Sequence, residues 1–327
     1  MSLRSASHSS PREDAATHGG PDTSGIVDVE ISLVSTNNRE LLRTCLRSLP
    51  AAAEGLRWHV TVIDNASEDG TAEMVAAEFP QAAFHRTEVR RGFAQNHNQV
   101  LEAVRRSGSA RYVLVIHEDI ELGAGSIAEL VRHCDENPRV GAAGAAIVTG
   151  HDLRETSYRR FPSVWEECLR SLLPGMPARA AQGPGWLDGP CTLIRTQALQ
   201  EVGLLDERFF IFYEDVDLCR RLWEAGWACA LCEQAQITHV SHGTIGQGAL
   251  SHSMEMQFLR SRYLYAAKHS GRARARLLAA ASRASFLARA VKASAEHALG
   301  RDGDDGSLAR LMWSLARYDP RQPSELE

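Results

Sequence analysis

Several short segments carry side chains able to act on a charged, hydroxyl-rich substrate. His117-Glu118-Asp119-Ile120-Glu121 sets three carboxylates directly after the apolar run Tyr112–Ile116. Carboxylates are hard oxygen donors suited to Mg²⁺ or Mn²⁺, and such an ion neutralises a departing diphosphate. In an extended segment Asp119 and Glu121 point the same way. The bland alternative is a solvated acidic loop. Glu214 and Asp215 follow the aromatic run Phe209–Phe212 and open a helix pattern. A carboxylate held there can take a proton from an attacking hydroxyl, although acidic residues also stabilise any helix start. His239 and His242 follow a further short apolar run. Imidazole is a common ligand of divalent metals, and either ring could equally be packed or solvated.

Two more segments suit a nucleoside. Ser35-Thr36-Asn37-Asn38-Arg39 offers short hydrogen-bonding side chains, which are also favoured helix caps. Asp64 begins Asp64-Asn65-Ala66-Ser67-Glu68-Asp69-Gly70-Thr71. Its carboxylate could accept a hydrogen bond from a pyrimidine N–H, or simply cap a turn.

All these segments follow apolar runs, and the runs alternate with helical patterns. Val27–Ser35, Trp58–Ile63 and Tyr112–Ile116 read as buried strands. Glu40–Leu49, Thr71–Phe79 and Asn98–Ser107 read as helices. That alternation predicts an α/β fold with a mostly parallel sheet and helices on both faces. Ligands of such sheets bind beyond the carboxyl ends of the strands, where these residues fall. A more irregular mixture of strands and helices follows, flanked by Gly183–Trp186 and Trp227–His239. The chain reads as helical from Gln257, with a loop at Asp302–Asp305 and a last helix at Leu308–Tyr318.

Bulk properties narrow the class. Residues 1–24 are polar with almost no aliphatic side chains, which predicts a disordered tail. The 327 residues carry a net charge of −5, with 44% hydrophobic and 24% charged residues. That is ordinary globular composition, without the concentrated basic charge that a nucleic-acid partner requires. No run approaches the roughly 20 apolar residues that cross a bilayer. Seven cysteines and a polar N-terminus predict reduced thiols and a cytoplasmic setting. Cys229 and Cys232 form one C-x-x-C without a second pair at zinc-ribbon spacing, and read as ordinary semi-buried thiols.

Four ordered blocks carry a resemblance. VDVEISLVSTNNRELLRTCLRSL, VIDNASEDGT, RRGFAQNHNQ and WLDGPCTLIRTQALQEVGLLDERFFIFYEDVDLCRRLWEAGW together resemble inverting family-2 glycosyltransferases of the GT-A fold, in particular the rhamnosyltransferase-like branch. The likeness runs from about Val29 to about His269. It implies a catalytic domain over 25–265 and a helical C-terminal extension over 266–327. It also implies site roles. Asp215 matches the catalytic base, with Glu214 beside it. Thr36, Asn38, Arg39, Asp64, Asn65, Gly92, Phe93, Asn98 and Glu118 fall on the nucleotide side. Asp188, Gly189 and Arg160 fall on the sugar and acceptor side. Asp119, Glu121, His239 and His242 fall on the divalent metal, Mg²⁺ or Mn²⁺.

The implied reaction is a hexosyl transfer from a UDP- or dTDP-sugar to a hydroxyl of a glycan, lipid-linked or small-molecule acceptor. Rhamnose is that branch's frequent sugar. Asn37 stands where an aromatic is common, and His117-Glu118 where relatives often carry Asp or Asn-Pro. A nucleotidyltransferase would need a Gly-rich phosphate loop and a lysine near the first strand, and a non-catalytic binding protein would be expected to lack the carboxylates. The basic, Ala-rich stretch Lys268–Lys292 fits either peripheral contact with an anionic membrane or a packing or homodimerisation element. Its long charged side chains favour packing with a solvated face.

Overall fold

The computed structural model describes residues 25–149, 153–155, 158–173, 185–187, 189–239, 252–299 and 306–323. The expected tail at 1–24, the loop at 302–305, Asp188 and His242 lie outside the described residues, as does the side chain of His239.

The first half is β1 (Val27–Ser35), α1 (Arg39–Ala52), β2 (Trp58–Asp64), α2 (Thr71–Glu78), β3 (Ala83–Arg86), α3 (Phe93–Ser107), β4 (Ala110–Ile116), β5 (Ile120–Leu122), α4 (Ser126–Glu136) and β6 (Val140–Thr149). There follow β7 (Leu153–Glu155), β8 (Tyr158–Arg160), α5 (Val164–Leu172), β9 (Gly185–Leu187), β10 (Cys191–Arg195), α6 (Thr196–Val202), α7 (Glu214–Glu224) and β11 (Ala228–His239). Helices α8 (His252–Ser270), α9 (Arg272–Ala298) and α10 (Ser307–Arg317) close the described chain.

Among the described residues, nine strands form one sheet, ordered β3-β2-β1-β4-β10-β6-β11-β5, with β7 paired antiparallel to the end of β6. Strands β1 to β4 run parallel, and β10 enters antiparallel between β4 and β6. The sheet is thus mixed but keeps the parallel half that the apolar runs predicted. Both faces are covered. Leu42, Cys45, Leu46 and Leu49 recur on one stripe of α1 and pack with α2 and α4 against Val29, Ile31 and Leu33. On the other face α3, α6 and α7 pack on Val113, Val115, Ala142 and Ile194.

Strand β6 has the sequence VGAAGAAIVT, poor in the β-branched residues that mark strands. Its small residues are a packing requirement. A Cβ at Gly144 would lie 2.9 Å from Leu187 Cδ2, so a larger side chain would push β9 off the sheet. The C-terminal helices bury Ala275, Leu278 and Ala281 of α9 against Val164 and Cys168 of α5. The packing expectation for the basic stretch therefore holds for one face of α9.

Candidate active site

The loops at the carboxyl ends of β1, β2 and β4 are tied together by a few side chains. Asp69 is one tie. Its carboxylate accepts the first amide of α1, Arg39 N, at 2.8 Å, and the amide and hydroxyl of Thr71 at 3.2 and 2.6 Å. One residue therefore meets the first orphan donor of two helices. Asn37 adopts φ 54°, and its amide donates to Ser67 Oγ at 2.9 Å while its side chain accepts Glu68 N at 2.8 Å. Glu118 is the second tie. It accepts Thr36 N at 3.0 Å and the side-chain amide of Asn38. Burial raises its carboxyl above the ordinary value, against the hydrogen bonds from Ser35, Asn38 and Thr36. Glu118 thereby ties the β1 loop to the turn after β4.

Asp64 is fully buried at the end of β2. Its Oδ1 accepts Ser67 N at 3.1 Å. Oδ2 lies 3.6 Å from Arg86 Nε, and among the described residues it accepts no hydrogen bond. A buried acceptor without a donor is costly, so this atom is suited to a ligand N–H. Asn65 is occupied within the protein, donating to Thr36 Oγ1 and Arg91 O and accepting Arg91 N at 2.8 Å. It fixes the segment that delivers Gly92 and Phe93. Arg39 is likewise turned to the protein, donating to the Asp69 carbonyl and to Glu40. Asn98 faces elsewhere: it bonds Leu205 at both backbone groups and Glu207. Of the residues expected at the nucleotide, Asn98 therefore braces the loop before α7 and does not line the strand ends.

Gly92 joins the two halves of the site. Phe93 N donates to Phe210 O at 2.7 Å, and a Cβ on Gly92 would sit 2.6 Å from that same oxygen. Only glycine allows this approach. Gly92→Ala should cost about 1–3 kcal/mol by overpacking, read as a lowered urea midpoint. An unchanged midpoint would show that the contact gives way freely. The Phe93 ring then packs on His97, at 4.3 Å between centroids, and edge-on to His117 at 5.5 Å. Burial pushes His97 down to about 3, so it is neutral and engages Ser32 Oγ through Nδ1 at 2.7 Å.

Phe212 and Tyr213 both adopt φ 70°, and α7 begins at the next residue, Glu214. Bulky side chains rarely occupy that region. Among the described residues the non-glycine positive-φ positions are Asn37, Ala66, Phe212 and Tyr213, all in loops of this site, where strain is typically held. Asp215 Oδ1 accepts its neighbour's amide, Val216 N, at 2.7 Å. Glu214 is buried beside it. Burial first, and the Asp215 charge second, push its carboxyl well above the ordinary value of 4.5.

A carboxyl raised in this way contributes its full stability below its unfolded value and loses it as pH rises through the folded one. Glu214→Gln should therefore gain in melting temperature over the native chain as pH increases above about 4.5. Equal differences at pH values near 5 and 9 would show that Glu214 is not held neutral.

Asp119 sits in the turn between β4 and β5, 4.0 Å from His117 Nδ1. The antiparallel register pairs Ile120 with His239 and Glu121 with Thr238, so the backbone of His239 lies next to Asp119. Glu121 is exposed. Among the described residues no three His, Cys, Asp or Glu side chains gather as a metal site. Of the residues expected at the acceptor, Arg160 is exposed and its carbonyl accepts Trp186 Nε1 at 3.1 Å, while Gly189 is half-buried.

One group was not singled out in the sequence. Asp217 is fully buried and meets Arg221 at 2.8 Å, Lys268 at 2.7 Å and His269 at 2.8 Å. It anchors α7 to α8. Only its i+4 spacing to Arg221 was visible in the sequence.

Comparison with known proteins agrees with this geometry. Residues 29–254 match the family described as Glycosyltransferase like family 2. The N-acetylglucosaminyl-diphospho-decaprenol L-rhamnosyltransferase of Mycobacterium tuberculosis is 30% identical over 234 residues, 65% of this chain and 76% of that protein. Among solved structures, the mannosyltransferase PcManGT of Pyrobaculum calidifontis in complex with GDP-Man and Mn²⁺ superposes with TM-score 0.51 at 16% identity, covering 90% and 88% of the two chains. GalNAc-T7 with UDP, GalNAc and Mn²⁺ gives TM-score 0.50 at 14% identity, over 76% of this chain and 52% of that one. The mixed sheet, its helical layers and these matches together show a GT-A glycosyltransferase, and the chain belongs to glycosyltransferase family 2.

Proposed function

We propose that this enzyme transfers rhamnose from a UDP- or dTDP-sugar to a hydroxyl of a lipid-linked, diphosphate-bearing glycan acceptor, with inversion. The observation that carries the reaction is the Glu214–Asp215 pair at the start of α7, where burial raises the Glu214 carboxyl well above its ordinary value. Two adjacent carboxyls pushed apart in this way divide acid and base roles. Asp215 is then the carboxylate that takes the proton as the acceptor oxygen attacks the anomeric carbon. The Phe210–Gly92 contact holds this base in register with the donor loops.

Asp64 Oδ2 is suited to the ring N–H that uracil and thymine share, so it recognises either nucleotide without choosing between them. The rhamnosyltransferase relative supports the sugar and the lipid-linked acceptor. A divalent ion fits the chemistry of Asp119, which offers a hard carboxylate, with the diphosphate oxygens supplying further ligands. When bound, the ion neutralises the departing diphosphate. Arg160 and Gly189 are assigned to the acceptor by the family resemblance. All seven cysteines are free thiols, which supports a cytoplasmic site of action. No described helix is long and apolar enough to cross a membrane.

Thermal shift of the purified chain against UDP, dTDP and their sugars, with and without Mn²⁺, tests the donor site. A ligand at 100 times its Kd adds about 2.7 kcal/mol. Asp64→Ala should lose that shift while melting cooperatively on its own. A full shift in Asp64→Ala, or none in the native chain, would remove the nucleotide assignment.

A further inference from the structure

Exposed apolar side chains are unevenly distributed over the molecule. Among the described residues of 25–149, Ile26 and Val89 are the large hydrophobic side chains left exposed. The helical layer is different. On and just beyond α5, Trp165, Leu169, Leu172 and Leu173 are between 46% and 61% exposed. Their spacing of four, then three, then one residue puts them on one stripe of the helix. The adjoining stripe, Val164 and Cys168, is buried on Ala275, Leu278 and Ala281 of α9. Helix α5 is therefore packed along one stripe and leaves an apolar stripe beside it exposed. A contiguous exposed patch of this kind marks an interaction site.

Charge identifies the partner. Helix α9 carries five arginines and one lysine against one glutamate, within a chain of net charge −5. Arg272, Arg274 and Arg276 are exposed and flank Ala275, the residue that α5 packs against. Among the described residues none of the three has an ion-pair partner. Tryptophan and leucines beside unpaired arginines match the boundary between acyl chains and anionic headgroups.

We propose that the outer stripe of α5 and the cationic start of α9 form a docking surface for an anionic membrane leaflet. The position suits the chemistry. Glu167 of α5 pairs with Arg262 of α8 at 3.3 Å, and Phe258 of α8 packs on Tyr213, the residue before Glu214. These contacts link α5 to the start of α7, where the catalytic carboxylates lie. A headgroup-borne acceptor would thus meet the site near the bilayer surface. This deepens the lipid-linked acceptor reading and rests on it for its purpose, but not for its test.

The full chain, without donor or acceptor, is sedimented with phosphatidylcholine vesicles and with vesicles holding about 30% phosphatidylglycerol. The native chain should partition at least about tenfold more strongly to the anionic vesicles, and less at high salt. Trp165→Ser/Leu169→Ser/Leu172→Ser and Arg272→Glu/Arg274→Glu/Arg276→Glu should each lower that partition at least about tenfold. Both should keep the native melting curve and nucleotide shift.

Absence of binding, or equal binding by native chain and both variants, would overturn the proposal. So would loss in the apolar variant alone. A native dimer that the apolar variant dissolves would assign the face to a second copy instead. A chain that docks but transfers no sugar would sink the proposed reaction and leave this surface standing.

Discussion

Asp215→Asn should lower the turnover of sugar transfer by about 10²–10⁴-fold, the range that a positioned general base contributes, while leaving nucleotide binding and the melting curve in place. The substitution is nearly isosteric. The Asn oxygen can still accept the Val216 amide that Asp215 Oδ1 accepts at 2.7 Å, so the start of α7 is preserved. What disappears is the carboxylate. Glu214 does not replace it, because burial, the larger cause of its raised carboxyl, persists in the variant. Its Oδ-equivalent, Oε2, is also buried without a hydrogen-bond partner among the described residues. Release of nucleoside diphosphate from the donor in the presence of acceptor reads the effect. Turnover within a factor of a few of the native rate would transfer the base role to another group.

Asp217→Asn should destabilise the fold by about 3–5 kcal/mol, the cost of removing one partner of a buried ion pair. The carboxylate faces Arg221, Lys268 and His269, and Arg221 also donates to the carbonyls of Val202 and Leu204 at 2.6 and 2.7 Å. The loss therefore loosens the loop before α7 as well as the docking of α8. Lys268 retains Asp206 at 2.7 Å, which limits the damage at that end.

Burial alone would raise the Asp217 carboxyl. The His269 hydrogen bond and the Arg221 and Lys268 charges outweigh it and hold the group below its ordinary value. A depressed carboxylate stabilises above its unfolded value and loses that contribution as pH falls through the folded one. Native chain and variant should therefore differ fully at neutral pH and converge below about pH 4. Urea midpoints at both pH values check this. A constant difference would show that the charge of Asp217 does not carry the effect.

Prediction from sequence succeeded where local chemistry is self-declaring. Strands β1, β2 and β4 were legible because an unbroken apolar run between helical patterns has few other homes. Strand β6 was not, since its alanines and glycines answer to Leu187, Trp227 and Leu222 packed upon it. Antiparallel β10 was also missed, because strand direction is set by which strand ends meet and not by composition.

The site divides along the same line. The order of the carboxylates along the chain, and their place after apolar runs, already pointed to sugar transfer from an activated donor. What made that reading specific was the resemblance of four ordered blocks to family-2 glycosyltransferases. Only the tertiary structure decided which polar residues remain available to a ligand. Asn65, Arg39 and Asn98 look identical in type to ligand-binding residues, yet their hydrogen bonds are spent on Arg91, Asp69 and Leu205. Asp64 keeps a buried acceptor, and burial raises the Glu214 carboxyl. Those outcomes depend on burial and on partners distant in sequence. Desolvation and long-range hydrogen bonds come into being when the sheet and its loops assemble, so no window of the sequence contains them.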